Sequence, residues 1–368
     1  MGKNILDYTL KELEELILGT GEKKFRASQI FILLHRDNLK SFDEFKGISK
    51  ELISYLKDNF YIGGLKLIDE KESSLDDTRK FLFEIPDTKE KIESVFIPEK
   101  ERRTICISTQ AGCNAGCGFC ATGKIGFKKN LTPAEIVSQV YEVSQRIGEM
   151  PTNLVFMGMG EPFLNYENVI KSLLILTNEK GLEIPSKRIT VSTIGFVGKI
   201  KKFADDLNKP ENKRIWNIKL ALSLHSTDNG VREKIIPVST KNPLSKIYEE
   251  LNYFYKTTRN KVTFEYIYFE GLNDTENDIK RLVKITKMFP CNINVIPFHP
   301  IDFPMEEPLK KFSGKEFSLS KDKIFRFISR LKKEKVIVNL RNSAGVDIYA
   351  ACGQLAGKNL QSNNTKLI

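Results

Sequence analysis

Nowhere in this chain do eighteen apolar residues stand together, and the N-terminal stretch "MGKNILDYTLKELEELILG" mixes charges through its apolar positions. The first absence argues against a membrane-spanning helix and the second against a secretory signal. The chain therefore reads as soluble and cytoplasmic, in a compartment where thiols stay reduced. No internal repeat or long low-complexity tract is present, and only the end, "QSNNTKLI", reads as a flexible tail, over residues 358–368. Acid is in short supply, with 47 carboxylate residues against 58 lysines and arginines and a net charge of +11. That excess favours a polyanionic partner, since each neutralised phosphate releases counterions. At 368 residues the chain can bury a core without staples, so its six cysteines are not needed as disulfides for folding.

Residues 1–70 read as a small helical domain. "DYTLKELEELILG", with Thr9 as N-cap, "KKFRASQIFILLHR" and "SKELISYLKDNF" each space apolar residues at the helical period. Over residues 71–102, "RKFLFEI" and "KIESVFI" flank "PDTKE" as a hairpin linker. From residue 103 to 357 strands alternate with helices: "TICIST", "NLVFMG", "RITVST", "KLALSL", "VTFEYIYF" and "NINVIPF" are the strands. Thr132, Pro133 and Glu135 open one of the helices between them with an N-cap, a first-turn proline and a capping box. Six such alternations imply parallel strands, in an α/β fold best read as a partial (β/α)6 TIM-like barrel. An open doubly wound sheet is the other solution, and in both the functional groups gather at the C-terminal strand ends.

Cys113, Cys117 and Cys120 form CxxxCxxC with glycines interleaved. Structural zinc normally closes its tetrahedron with a fourth protein ligand, and ferredoxin-type clusters usually take four cysteines. Three thiolates leave a metal centre with an open position, the mark of a site that binds a small molecule and acts on it. A zinc knuckle closed by Cys106 or a histidine is the competing reading.

The CxxxCxxC loop after a first barrel strand, "FMGMGEP", "SLH" and "GVDIYAACGQLAG" together resemble the radical S-adenosylmethionine (SAM) enzymes and, within them, the RlmN-type adenine-C2 methyltransferases of ribosomal and transfer RNA and their relative Cfr. The likeness runs from "ILDYTLKELEEL" to "CGQLAG". It implies a 4Fe–4S cluster on Cys113, Cys117 and Cys120, and SAM held by Gly160, Glu161, Ser192, Ser223, Leu224, His225 and His299. It implies further that Cys352 accepts a methyl group from one SAM, and that a radical made from a second SAM activates this group for attack on the adenine ring. Cys106 then releases the product by closing a disulfide on Cys352, with Glu93 as proton acceptor. The implied substrates are 23S rRNA and transfer RNA, met as a monomer, with electrons from a flavodoxin- or ferredoxin-type donor and no membrane partner. Carbon 2 of adenine offers no lone pair for displacement on a sulfonium methyl, which is why a radical route is needed.

Three departures stand against this pattern. His299 occupies the place of an asparagine, Tyr349 that of an acidic residue, and "RNSAG" lacks a second basic residue and in this leans towards Cfr, whose target is carbon 8. Two other readings remain: a zinc-stabilised RNA-binding protein without catalysis, and a radical enzyme acting on a small molecule. Cys291, after Pro290, reads as a core cysteine.

Overall fold

The computed structural model describes residues 2–314 and 320–355. The expected flexible tail, with the last residues of "CGQLAG", lies outside them. The N-terminal unit consists of β1 (Lys3–Asn4) paired in parallel with β2 (Phe60–Tyr61), and helices α1 (Leu10–Leu18), α2 (Phe25–His35) and α3 (Lys50–Asn59). Thr9 caps α1 as its sequence requires, in a full capping box with Glu12.

A ten-stranded sheet follows, in the order β14-β13-β12-β11-β10-β9-β6-β5-β4-β3. Its first four strands are β3 (Lys66–Glu72), β4 (Arg79–Glu84), β5 (Lys91–Glu99) and β6 (Arg102–Cys106), each antiparallel to the next. β3 begins at Lys66, so the last five residues of the expected helical domain, 66–70, belong to this sheet. The hairpin is also no separate linker: β5 pairs with β6 and so extends the barrel sheet.

A small ribbon, β7 (Gln110–Ala111) with β8 (Lys129–Asn130), frames the cysteine loop and the short helix α4 (Ala121–Lys124). The parallel series then runs β6, β9 (Asn153–Phe156), β10 (Ile189–Thr193), β11 (Lys219–Ser223), β12 (Val262–Tyr268) and β13 (Cys291–Pro297). β14 (Val338–Leu340), not expected from the sequence, adds a seventh parallel strand. Helices α5 (Pro133–Ile147), α6 (Tyr166–Leu176), α7 (Lys199–Leu207), α8 (Asn229–Ile235), α9 (Leu244–Thr258), α10 (Glu276–Thr286) and α11 (Lys321–Lys333) lie along the chain between strands. The result is the expected partial barrel, continued at one edge by the antiparallel strands.

The N-terminal unit is fastened to α5. Asp7 accepts the amide of Ala134 at 2.8 Å, and buried His35 meets the Tyr141 hydroxyl at 2.7 Å. Cys291 packs in the main core, as expected. Among the described residues no helix is long and apolar enough to cross a membrane.

Candidate active site

The cysteine loop is wound tightly by its glycines. Gly112 adopts φ +69°, and a Cβ there would stand 1.8 Å from the Gly126 carbonyl oxygen, to which Cys113 donates at 3.1 Å. The amide of Gly118 donates to the Ile235 carbonyl at 2.9 Å, so the loop is pinned to the end of α8. Cys113 and Cys117 are buried and Cys120 half-buried, above an apolar patch that includes Phe119, Ile235 and Phe269.

Burial pushes the Cys113 thiol up to about 12 and the Cys117 and Cys120 thiols upward as well, with repulsion from a neighbouring cysteine adding to each. Such a trio stays protonated until a cation replaces its protons, which is the behaviour of a metal-binding thiol set. Among the described residues no three His, Cys, Asp or Glu side chains converge on one point, as zinc with sulfurs about 2.3 Å away requires. Thiolates that each take a different corner of an iron–sulfur cluster need no common point. The donor set and the close-wound backbone fit a cluster with one open iron.

Beside these thiols opens a cavity of about 810 Å³, counting its mouth, into which the strand ends feed Gly158, Gly160, Glu161, Ser192, Ser223 and His225. Gly160, at φ +96°, lies so close to Gln110 that a Cβ would come within 2.7 Å of its backbone nitrogen. Glu161 accepts the amides of Phe163 at 3.0 Å and Ile194 at 2.9 Å, which joins the ends of β9 and β10. Burial raises its carboxyl to about 7, partly offset by these bonds and by the charge of Arg232. Ser192 and Ser223 place their hydroxyls 3.4 Å apart. His225, at φ +52°, accepts the Ile267 amide on Nδ1 at 3.1 Å. Burial lowers its pKa to about 3, so the ring is neutral and its proton sits on Nε2.

Cys352 lines this cavity from the far end of the chain and also lines a second, wider one running through the barrel lumen. Its charge is felt by Cys106 and Cys120, so the fold brings together thiols 246 residues apart in sequence, and Cys106 and Cys352 are both free. Burial raises Cys106 to about 12, with Cys352 adding to the rise and Arg341 opposing it.

Three expected site residues do not line this cavity. Leu224 is wholly buried in the core, its amide donating to the Glu265 carbonyl and its own carbonyl taken by Arg232. His299 does not line the cavity, and its Nε2 is buried without a hydrogen-bond partner. Glu93 lines neither cavity; it is buried on β5 in an ion pair with Lys80, at 3.2 Å.

Two arginines were missed by sequence reasoning. Arg232, buried on α8, donates from Nη2 to the carbonyls of Ile194 and Ser223 and from Nε to that of Leu224, tying together the ends of β10 and β11. "VREKI" reads as a solvated charge run, and only its adjacency to the "SLH" strand end hinted otherwise. Arg341 faces Glu265 at 3.3 Å, and the charges of Cys352, Glu265 and Cys106 hold its guanidinium protonated.

A model of the radical SAM superfamily matches residues 107–283. With the partial barrel and the three-cysteine loop at its mouth, the match defines the chain as a radical SAM enzyme, whose class works with a 4Fe–4S cluster and SAM. A second model, the ribosomal RNA large subunit methyltransferase N-terminal domain, matches residues 3–62. A probable dual-specificity RNA methyltransferase RlmN of Clostridium perfringens (strain SM101) is 40% identical over 365 residues, covering 99% of this chain and all of that protein. A protein of the same description from Cytophaga hutchinsonii is 41% identical, covering 98% and 94%. The solved structure of a radical SAM methyltransferase from Sphaerobacter thermophilus superposes with a TM-score of 0.83 at 34% identity, covering 96% of this chain and 99% of that one. The chain belongs to the RlmN-type family of radical SAM methyltransferases.

Proposed function

We propose that this chain methylates carbon 2 of an adenosine in 23S rRNA, and of transfer RNA next to the anticodon, with the methyl group carried on Cys352. The observation that carries the reading is the position of Cys352, between the cofactor cavity and the lumen and within electrostatic reach of both Cys106 and Cys120. The curated relatives are described as dual-specificity RNA methyltransferases, in keeping with two RNA substrates.

Cys113, Cys117 and Cys120 would hold the cluster, which when bound supplies the one-electron chemistry that makes SAM a hydrogen-abstracting reagent. The Glu161 carboxylate and the edge at Gly158 and Gly160 offer acceptors to the ammonium of SAM, and His225 offers an Nε2 donor. Cys352 Sγ accepts the methyl group, with the Arg341 cation close by. Cys106 stands ready to attack the Cys352 sulfur once the base is methylated.

The adenosine occupies the lumen, among Thr104, Asn153, Thr263 and Asn294. At the N-terminal ends of β6 and β11, Arg102 and Lys219 lie close enough that, after burial, the arginine lowers the Lys219 pKa. Two like charges held together on the lumen lining suit the phosphates of an RNA strand, from which the base is flipped inward. The enzyme works in the cytoplasm as a monomer, reduced by a flavodoxin- or ferredoxin-type donor.

The test is nucleoside mass spectrometry of rRNA and tRNA from a strain lacking this protein. Loss of 2-methyladenosine from both supports the reading; loss of 8-methyladenosine instead assigns Cfr-like chemistry; unchanged levels of both refute RNA methylation. Arg102→Gln and Lys219→Gln should each lower the salt dependence of RNA binding by about one counterion.

A further inference from the structure

Two arginines stand by the site's thiols, and among the described residues only Arg341 is paired with a carboxylate. On the Cys120 side the wall of the site is the C-terminal segment. Ser73 Oγ and the Ser74 amide donate to Asp347 at 2.6 and 2.9 Å, and beyond Cys352 the carbonyls of Gly353 and Leu355 accept from Ala121 at 2.7 Å and Thr122 at 3.0 Å. Cys352 therefore rides on a short arch clasped at both ends, and Arg341, close by, is matched by Glu265 at 3.3 Å.

On the Cys117 side the wall is α8. The amide of Gly118, next in the chain to Cys117, donates at 2.9 Å to the carbonyl of Ile235, three residues on from Arg232. The Ile236 amide closes that turn on the Arg232 carbonyl at 2.7 Å. Arg232 is 1% exposed. Its side-chain hydrogen bonds all go to carbonyls, those of Ile194, Ser223 and Leu224, and its Nη1 is buried without a hydrogen-bond partner. Burial draws the guanidinium down to about 10, against the charges of Tyr248, Cys117 and Glu161, so at neutral pH it stays a cation. A buried cation is costly until an anion shares its surroundings. Burial keeps Tyr248 a neutral phenol. Glu161 is a poor partner, because burial lifts its carboxyl to about 7 and it already accepts the amides of Phe163 and Ile194. Cys117 remains, and Arg232 opposes the burial that raises its thiol.

Three thiolates outweigh the positive charge of an oxidised 4Fe–4S core, and reduction adds one negative charge more. We propose that Arg232 is the fixed counter-charge of the cluster, a positioning residue that acts through Cys117 and raises the cluster's reduction potential. A neighbouring cation favours the more negative, reduced form. In that step one electron leaves the flavodoxin- or ferredoxin-type donor, which is oxidised, and enters the cluster, which is reduced. No bond forms or breaks, and Arg232 exchanges no proton. The proposal rests on Cys113, Cys117 and Cys120 as the cluster ligands and is independent of which RNA is methylated.

The experiment titrates the anaerobically reconstituted full-length parent, Arg232→Lys and Arg232→Met against solution potential, reading the reduced cluster by electron paramagnetic resonance. Iron content and the Tm of each apo chain are measured alongside. Lysine keeps the charge and loses the planar fork, whereas methionine loses both. Both variants should melt below the parent, and only Arg232→Met should be harder to reduce. At a fixed potential its ratio of reduced to oxidised cluster should fall at least tenfold, a midpoint about 59 mV lower for a one-electron couple, while that of Arg232→Lys stays within threefold of the parent. A fall short of tenfold in Arg232→Met, or a fall as large in Arg232→Lys, would mean that Arg232 only ties the strand ends, and overturns the proposal. A parent chain that takes up no iron overturns the cluster assignment and the proposal with it. Should Arg232→Met fail to fold or to take up iron, Arg232→Gln decides. It is neutral yet still donates a hydrogen bond, so it should show the same tenfold fall, and a parent-like ratio overturns the proposal.

Discussion

Gly112→Ala puts the winding of the cysteine loop to a quantitative test. At φ +69° an alanine is strained by about 1–2 kcal/mol whatever the space around it. Its methyl group would stand 1.8 Å from the Gly126 carbonyl oxygen and 2.9 Å from the carbonyl carbon, both backbone atoms that cannot rotate away. Relief requires the strand of loop at Gly126 to move out, which breaks the 3.1 Å hydrogen bond from the Cys113 amide. Overpacking of about 1–3 kcal/mol and a lost bond of about 0.5–1.5 kcal/mol bring the whole to about 3–6 kcal/mol. With an unfolding entropy of about 2.1 cal/mol/K per residue, that lowers Tm by roughly 4–8 °C in a chain of 368 residues. Gly126→Ala is the control: its φ is +72° but nothing lies within 4 Å of the added methyl, so only the strain remains and Tm falls by roughly 1–3 °C. Calorimetry of both apo chains, followed by iron analysis after anaerobic reconstitution, gives the answer. Gly112→Ala should bind well under half of the parent's iron, and Gly126→Ala close to all of it. Equal iron and equal Tm in the two variants would refute the claim that the Gly112–Gly126 approach shapes the cluster site.

Three further outcomes are expected. Because burial lifts Glu161 to about 7, the folded cluster-free chain holds a proton that the unfolded chain has released. Its stability should therefore fall as pH rises from about 4.5 to about 7, by at most about 1.4 kcal/mol per pH unit, and urea titrations of Glu161→Gln should lack that slope. Arg341→Met leaves the Glu265 carboxylate buried without its cation and should cost about 2–4 kcal/mol, more than half of it recovered on adding Glu265→Gln; additive losses in the double variant would refute the coupling. Cys106→Ala should leave RNA attached to the chain through Cys352, and release of free methylated RNA at the parent rate would remove Cys106 from the reaction.

Much of this architecture was legible because it rests on local pattern. Alternating apolar residues marked the strands, Thr9 and Thr132 marked the helix starts, and the spacing of Cys113, Cys117 and Cys120 needed only a loop. What escaped depends on contacts between distant segments. The pairing of β5 with β6 fuses the hairpin to the barrel, and nothing within either strand announces its neighbour. β14, with three residues, is too short for a period to show. Lys80 interrupts an apolar run, yet β4 is buried on both faces, so alternation could not tell that it points to Glu93 rather than to water. Leu224 and His299 were carried over by resemblance; neither lines the cavity, and the Leu224 side chain completes the core.

The clasp between Asp347 and the turn at Ser73 has a consequence for the making of the protein. Translation delivers the hairpin, the sheet and the cysteine loop long before it delivers residues 345–355, which then dock back onto the earliest strands of the sheet. A chain cut short by even thirty residues keeps every ligand for the cluster but lacks the thiol that captures the methyl group and the arch that aims it. Unfinished copies are thereby built without the means to tether themselves to RNA.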